Sequence, residues 1–267
     1  MKTKLDALAA IINDLPPFAV AVSGGVDSMT MAMFSHDLHP DIVVFHATSP
    51  AVPPRATRRV QQYADTKGWR LHTIVAGEFE DGRYVSNPYN RCYFCKQNLY
   101  AEIRRHTDRP ILSGANLDDL SDFRPGLKAA AEQEVRHPFV EARLRKTDVR
   151  ALANRLGATT LAELPASPCL SSRIETSIEI DAVTLRSVDS VENWLTATFQ
   201  ARTVRCRVRK SGITVELDRT LLRNIGTVDK QSILDKVRET FGITGVEEIR
   251  FAEYRMGSAF LKEGQSA

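Results

Sequence analysis

The sequence predicts a doubly wound parallel α/β sheet followed by a small α+β unit. Three observations carry this. Short apolar runs alternate with helical periods as far as Ala115, which implies parallel βαβ units. The first such run ends in a glycine pair at the mouth of a helix. After Ser171 the alternation stops and a hairpin flanked by helices takes over.

In order, "MKTKLDALAAIINDLPP" has the period of an amphipathic helix. "FAVAVS" (18–23) reads as a strand and "VDSMTMAMFSHDL" (26–38) as a helix. "DIVVFHA" (41–47) is a strand, and "RATRRVQQYADTKG" (55–68) is a helix stopped by Gly68. "RLHTIVA" (70–76) is a strand, "CYFCKQNLYAEIRRH" (92–106) a helix and "PILSGA" (110–115) a short strand. Beyond Ser171, "VTLRSVDSVENWLTATF" (183–199) is a helix. "RTVRCRVRK" (202–210) and "GITVEL" (212–217) form a hairpin, "DKQSILDKVRETFG" (229–242) is a helix, and "VEEIRF" (246–251) is a strand. The boundary falls near residues 171–180, giving domains 1–175 and 176–267. No internal repeat or low-complexity tract interrupts them.

Composition bounds the function. The chain has 267 residues, 43% hydrophobic and 26% charged, with a formal net charge of +3. Such a charge does not by itself argue for nucleic acid. No apolar run approaches a membrane span. Asp6, Asn13 and the lack of a cleavage pattern argue against a signal peptide. With four cysteines, a cytoplasmic, reducing setting is expected, where a close cysteine pair more often means metal or redox chemistry than a disulfide.

The stretch "AVAVSGGVDS" (19–28) carries the strongest signal. Two glycines between strand and helix let the backbone approach an anion, and free N–H groups collect at the helix's positive end. Ser23 and Ser28 add hydroxyl donors. Asp27 would repel a bare phosphate, so a magnesium ion or an amine is expected between them. No Lys precedes Ser or Thr as a Walker loop requires. The plain alternative is an ordinary Gly-rich turn with an N-cap serine. The segment resembles SGGxDS, the pyrophosphate-binding PP-loop of adenylating ATP pyrophosphatases, the adenine nucleotide alpha hydrolase-like fold.

Further segments extend the resemblance: "NPYNRCYFCK" (87–96), "GANLDDLSDFRPG" (114–126), "VRHPFVEARLRKTDVRALANRLG" (135–157) and "PASPCLSSRI" (165–174). Taken in this order with the loop, they resemble the LarE family, ATP-dependent sulfur transferases of nickel-pincer nucleotide synthesis. The resemblance implies that a carboxylate of pyridinium-3,5-biscarboxylic acid mononucleotide is adenylated with release of pyrophosphate, and that a protein-bound sulfur then displaces AMP to give a thiocarboxylate. It implies ATP and Mg2+ as cofactors, with ATP on Ser23, Gly24, Gly25, Asp27, Ser28, Ala47, Asn116, Asp118, Asp119 and Arg124, and Mg2+ on Asp27. Implied partners are the small nucleotide substrate, other proteins of nickel-pincer synthesis and a second copy of the chain, with neither nucleic acid nor membrane.

The residues support this chemistry on their own terms. Asn116, Asp118 and Asp119 follow a strand end, where open α/β sheets bind ligands; an N-cap with an acidic first turn is the structural alternative. Arg124 precedes Pro125 and can meet a phosphate or form a surface salt bridge. Cys92 and Cys95 share a helix face near its positive end, which lowers thiol pKa, though buried cysteines are often simply core. Cys169 sits in a polar loop with Ser171, Ser172 and Arg173 beside it, a poor place for an apolar thiol. Cys206 shares a strand face with Val204 and Val208 and reads as core.

In the family, the cysteine of this loop supplies the sulfur, either by its own sacrifice or on a cluster shared with a Cys-x-x-Cys. The resemblance therefore implies a [4Fe–4S] cluster on Cys92, Cys95 and Cys169, the three-cysteine type. Zinc with a histidine is the rival, but none of His36, His46, His106 or His137 has a tight spacing to the pair. Arg205, Arg207 and Arg209 share one strand face. With a two-residue turn at Ser211–Gly212, Arg207 faces Glu216 and Arg205 faces Asp218. That set is either a group of cross-strand bridges or, with Arg173, a platform for an anionic substrate. Two other functions fit parts of the pattern: a tRNA thiolase, and a non-catalytic nucleotide-binding protein, which would need neither Asp27 nor Cys169.

Overall fold

A computed structural model describes residues 1–121, 124–166, 168–243 and 249–260. In chain order the elements are α1 (Lys2–Asn13), β1 (Ala19–Val22), α2 (Val26–Leu38), β2 (Val43–Ala47), α3 (Pro54–Lys67), β3 (Arg70–Ile74), α4 (Gly82–Val85), α5 (Arg91–His106), β4 (Ile111–Leu112), α6 (Pro125–Glu132), α7 (Pro138–Glu141), α8 (Lys146–Arg155) and α9 (Thr159–Ala162). They continue with α10 (Ala182–Phe199), β5 (Val204–Arg209), β6 (Gly212–Leu217), α11 (Arg219–Asn224), α12 (Thr227–Phe241) and β7 (Ile249–Glu253). Residues 246–248 of the expected last strand lie outside the described residues, as do residues 122, 123 and 167 of the quoted motifs.

The chain divides into two compact units. The first comprises Met1–Asp81 and Asn90–Ser167, the second Gly82–Tyr89 and Pro168–Ala267. The second therefore takes in residues 168–175 and a short segment from the first half of the chain.

The first unit is a doubly wound α/β fold. Its sheet is parallel, in the order β3-β2-β1-β4. The central strands are short and apolar because both faces are covered: Ala19, Val20 and Val44 are fully buried. α2 is buried almost all round, through Met29, Met31, Ala32 and Met33, so it shows little amphipathic period. α3 ends on Gly68 in the left-handed conformation. The chain winds outward from β1 through β2 to β3, then returns to place β4 on the other side of β1. The order reverses between β1 and β4, which is where such sheets bind ligands.

In the second unit β5 and β6 are antiparallel and β7 joins β6 in parallel. α10 presents Leu185, Val188, Val191 and Leu195 to its core. The segment 82–89 is tied in by Asn87, whose side chain donates to the carbonyls of Glu175 (2.8 Å) and Ile178 (2.7 Å). The expected hairpin register is corrected here. The turn is Lys210–Ser211, because Arg209 pairs with Gly212, so Arg205 lies opposite Glu216 and Arg207 opposite Thr214. A slip of two residues leaves every side chain on its face. Asp218 is not a partner of Arg205 in the ladder; it caps α11, accepting the Leu221 N–H at 3.0 Å.

Candidate active site

In the first unit the loops following β1 and β4 lie side by side. Gly24 has φ +77°, and a Cβ there would stand 2.7 Å from the Ala56 carbonyl oxygen of α3. Only glycine satisfies both the left-handed backbone and the close approach. Gly114, after β4, is equally tight: a Cβ would meet the Ser28 nitrogen at 2.5 Å. This residue pins the two loops together, and the sequence reading did not single it out. Its only signal is its place in "SGAN".

Ser28 organises the loop from within. Its Oγ accepts the Ser23 N–H (3.0 Å), donates to the Gly25 carbonyl (3.3 Å) and lies 3.1 Å from Ser23 Oγ. Gly25 is the N-cap of α2 without a side-chain cap. The first-turn amides of Val26 and Asp27 thus remain available to an anion at the positive helix end. Ala47 closes β2, the neighbour of β1.

Three residues outside the expected set hold this loop. Arg59 of α3 donates to the Gly24 carbonyl at 2.5 Å; burial, then the charge of Arg55, lowers its pKa. His46 bridges Val22 and Thr57. Its Nδ1 lies 3.0 Å from the Val22 carbonyl, which can only accept, so Nδ1 carries the proton and Nε2 accepts from the Thr57 hydroxyl at 2.9 Å. Burial lowers its pKa below the usual value. The third is Lys146, the first residue of α8, whose ammonium meets the Asp27 carboxylate. Of the two neighbours expected for Asp27, the structure supplies an amine.

Asn116 Nδ2 reaches the other Asp27 oxygen at 3.4 Å. Asn116 also caps a short turn, Leu117–Leu120, with Asp119 completing a capping box. Asp118 accepts from Arg145 (2.8 Å) and from the Lys146 N–H (2.9 Å). Arg124 pairs with Asp119 at 2.8 Å and is half exposed. The acidic pair thus serves the local structure, while Asn116 and Asp27 meet at the switch point. One carboxylate together with substrate phosphates is a normal set for Mg2+, so Asp27 fits an ion that arrives with a nucleotide. Within either unit, no three described His, Cys, Asp or Glu side chains gather into a metal site.

α5 begins at Arg91, so Cys92 and Cys95 occupy its first turns, both half-buried. Gly126 packs against that turn; a Cβ would meet the Cys92 carbonyl at 3.3 Å. Neither cysteine is in a disulfide.

In the second unit Cys169 is exposed and begins the turn Leu170–Arg173. Arg173 beneath it is fully buried. Its Nε and Nη2 form a fork with Glu192 of α10 (2.9 and 2.8 Å), and its Nη1 donates to the carbonyls of Pro168 (2.7 Å) and Cys169 (3.0 Å). Burial opposes the charge of Arg173, but Glu192 outweighs it and the pKa is raised. Arg173 therefore clamps the cysteine loop to α10. Glu192 escaped the sequence reading; its signal is a carboxylate on the apolar face of Val188 and Leu195. It also accepts the Cys206 N–H at 2.9 Å. Cys206 itself is fully buried, and burial pushes its thiol pKa far up.

The alternating arginines join this network. Arg207 donates to Glu216 (2.9 Å) and to the Ser172 carbonyl (2.9 Å). Arg209 reaches Glu216 at 3.1 Å and Glu175 at 3.8 Å. Arg205 lies over the Tyr254 ring, 5.4 Å from its centroid, and donates to the Val204 carbonyl at 2.6 Å. Burial, reinforced by Arg173, pushes the Arg205 pKa down to about 10. Four guanidinium groups meet three carboxylates, Glu175, Glu192 and Glu216, so this set carries one positive charge in excess.

No model of a protein family matches the chain. Individual relatives do. An uncharacterized Synechocystis protein, slr1717, is 34% identical over 200 residues, covering 73% of this chain and 74% of that protein. The pyridinium-3,5-bisthiocarboxylic acid mononucleotide synthase of Lactiplantibacillus plantarum is 28% identical over 223 residues, covering 81% of this chain and 80% of the synthase. The likeness to this synthase supports the LarE family. An uncharacterized Methanocaldococcus jannaschii protein, MJ0830, is 24% identical over 82% of this chain. The likeness to the synthase accords with the PP-loop fold of the first unit. Among the described residues no helix is long and apolar enough to cross a membrane.

Proposed function

We propose that this chain is a LarE-family, ATP-dependent sulfur transferase. It adenylates a carboxylate of pyridinium-3,5-biscarboxylic acid mononucleotide and converts it to a thiocarboxylate for a nickel-pincer cofactor. The carboxylate oxygen attacks the α-phosphorus of ATP, the bond to the bridging oxygen of the β-phosphate breaks, and pyrophosphate leaves. A protein-bound sulfur then attacks the acyl carbon and AMP leaves, and the bond from that sulfur to the protein breaks to release the thiocarboxylate. Adenylation is needed because oxide is a poor leaving group. The observation that carries the reading is the SGGVDS turn at the switch point, with Gly24 in the left-handed conformation and first-turn amides open to an anion.

The substrate's carboxylates and phosphate match the one positive charge in excess in this arginine set, with Arg205 and Arg207 as the expected contacts and Arg173 as the brace behind them. Sulfur delivery is assigned to Cys169, exposed on a loop fixed by a buried guanidinium. Cys92, Cys95 and Cys169 would hold a [4Fe–4S] cluster, whose open iron would supply a labile sulfide. Three thiols outside disulfides are a fitting donor set. The exposure of Cys169 also suits a second reading, sacrifice of its own sulfur.

The protein should convert ATP to AMP and pyrophosphate in the presence of the pyridinium nucleotide; stoichiometric ADP would refute the assignment. Under the cluster reading, Cys92→Ala, Cys95→Ala and Cys169→Ala each abolish the brown chromophore and product formation. A Cys92→Ala/Cys95→Ala double variant that still makes product, its Cys169 lighter by the mass of hydrogen sulfide, would establish the sacrificial reading instead.

A further inference from the structure

The contact between Lys146 and Asp27 has more consequence than a surface salt bridge. Asp27 stands in the first turn of α2, beside amides that suit an anion, and its negative charge works against that use. The Lys146 ammonium cancels it. Lys146 occupies the first position of α8, where the helix dipole disfavours a cation, and an exposed bridge would return little. Its backbone is nonetheless fixed there, its N–H donating to Asp118 at 2.9 Å while Arg145 holds the other Asp118 oxygen at 2.8 Å. The Lys146 and Asp27 side chains are 33% and 27% exposed, so a ligand can reach the pair. An ammonium has three donors, and the contact with Asp27 takes one.

We propose that Lys146 is a phosphate-holding residue, anchored on Asp27 and presenting its other N–H donors to the β- and γ-phosphates of ATP, the pyrophosphate that leaves. This rests on the ATP-cleaving reading above. Together with Arg59 at the Gly24 carbonyl, it gives the loop a cation on two elements, α3 and α8. The ammonium would strengthen its hold as charge accumulates on the departing pyrophosphate.

The test is calorimetric titration of the full chain with magnesium pyrophosphate and, separately, with AMP, which lacks the leaving phosphates. Lys146→Met should bind pyrophosphate at least about tenfold more weakly while AMP affinity stays within about twofold, and Lys146→Arg should recover part of the loss. In the wild-type protein, pyrophosphate but not AMP should protect Lys146 from amine acylation, read by peptide mass spectrometry. That measurement needs no variant to fold. Unchanged pyrophosphate affinity in Lys146→Met, or acylation of Lys146 unaffected by pyrophosphate, overturns the inference and leaves the ATP reading standing. A wild-type protein that binds neither pyrophosphate nor AMP overturns both.

Discussion

Two ion pairs separate the units by purpose. Lys146–Asp27 in the first is partly exposed and leaves donors unused, whereas Arg173–Glu192 in the second is sealed, with both side chains at or below 1% exposure. A solvent-reachable pair can be re-partnered by a ligand at little cost. A sealed fork cannot open without stranding a charge, so it serves as a fixed brace. The first unit thus keeps its electrostatics available, and the second uses most of its own to hold the cysteine loop still.

The largest break in this contrast is expected from Arg173→Met. It strands Glu192 in the core and should cost about 3–5 kcal/mol. Urea denaturation in a Trp69→Phe background, where Trp194 of α10 is the remaining tryptophan, reads the second unit directly. A loss below about 1 kcal/mol would mean that the pair is not a brace.

A smaller effect is expected from Gly24→Ala. The left-handed backbone costs about 1–2 kcal/mol, and the new methyl group has to displace α3 or the loop. Stability should fall by about 2 kcal/mol and ATP affinity by about tenfold. ATP binding at wild-type strength would show that the loop conformation is not what ATP requires.

The smallest effect is a pH dependence. His46 is buried, and its folded pKa lies below the unfolded value of about 6.5. Below that value the unfolded chain binds the extra proton, so stability is lost as pH falls from about 6.5 toward the folded pKa, by at most about 1.4 kcal/mol per pH unit. His137 shifts in the same direction, chiefly by burial, and adds to the slope. Comparing wild type with His46→Gln between pH 7.5 and 5.5 isolates the His46 share; identical slopes would remove it. Arginines do not titrate there, so the arginine side of the second unit's network contributes nothing to this slope.

The doubly wound sheet and the PP-loop were legible because they are written locally. Strand and helix periods alternate, and a glycine pair interrupts them at one place. The bounds of α2 matched from Val26 to Leu38, and α5 began one residue early. What local pattern could not supply is pairing across the chain. The hairpin slipped by two residues because a two-residue turn can sit at either of two adjacent positions and the alternation is unchanged by the slip. Lys146 lies 119 residues from Asp27, and Glu192 lies 19 from Arg173; neither separation leaves a periodic trace. Side-chain chemistry along the chain determined that a glycine-pair turn between strand and helix, a cysteine in a polar loop and an arginine strand exist. Only the tertiary structure decided which charges meet, because charge pairing depends on distances that sequence order does not set.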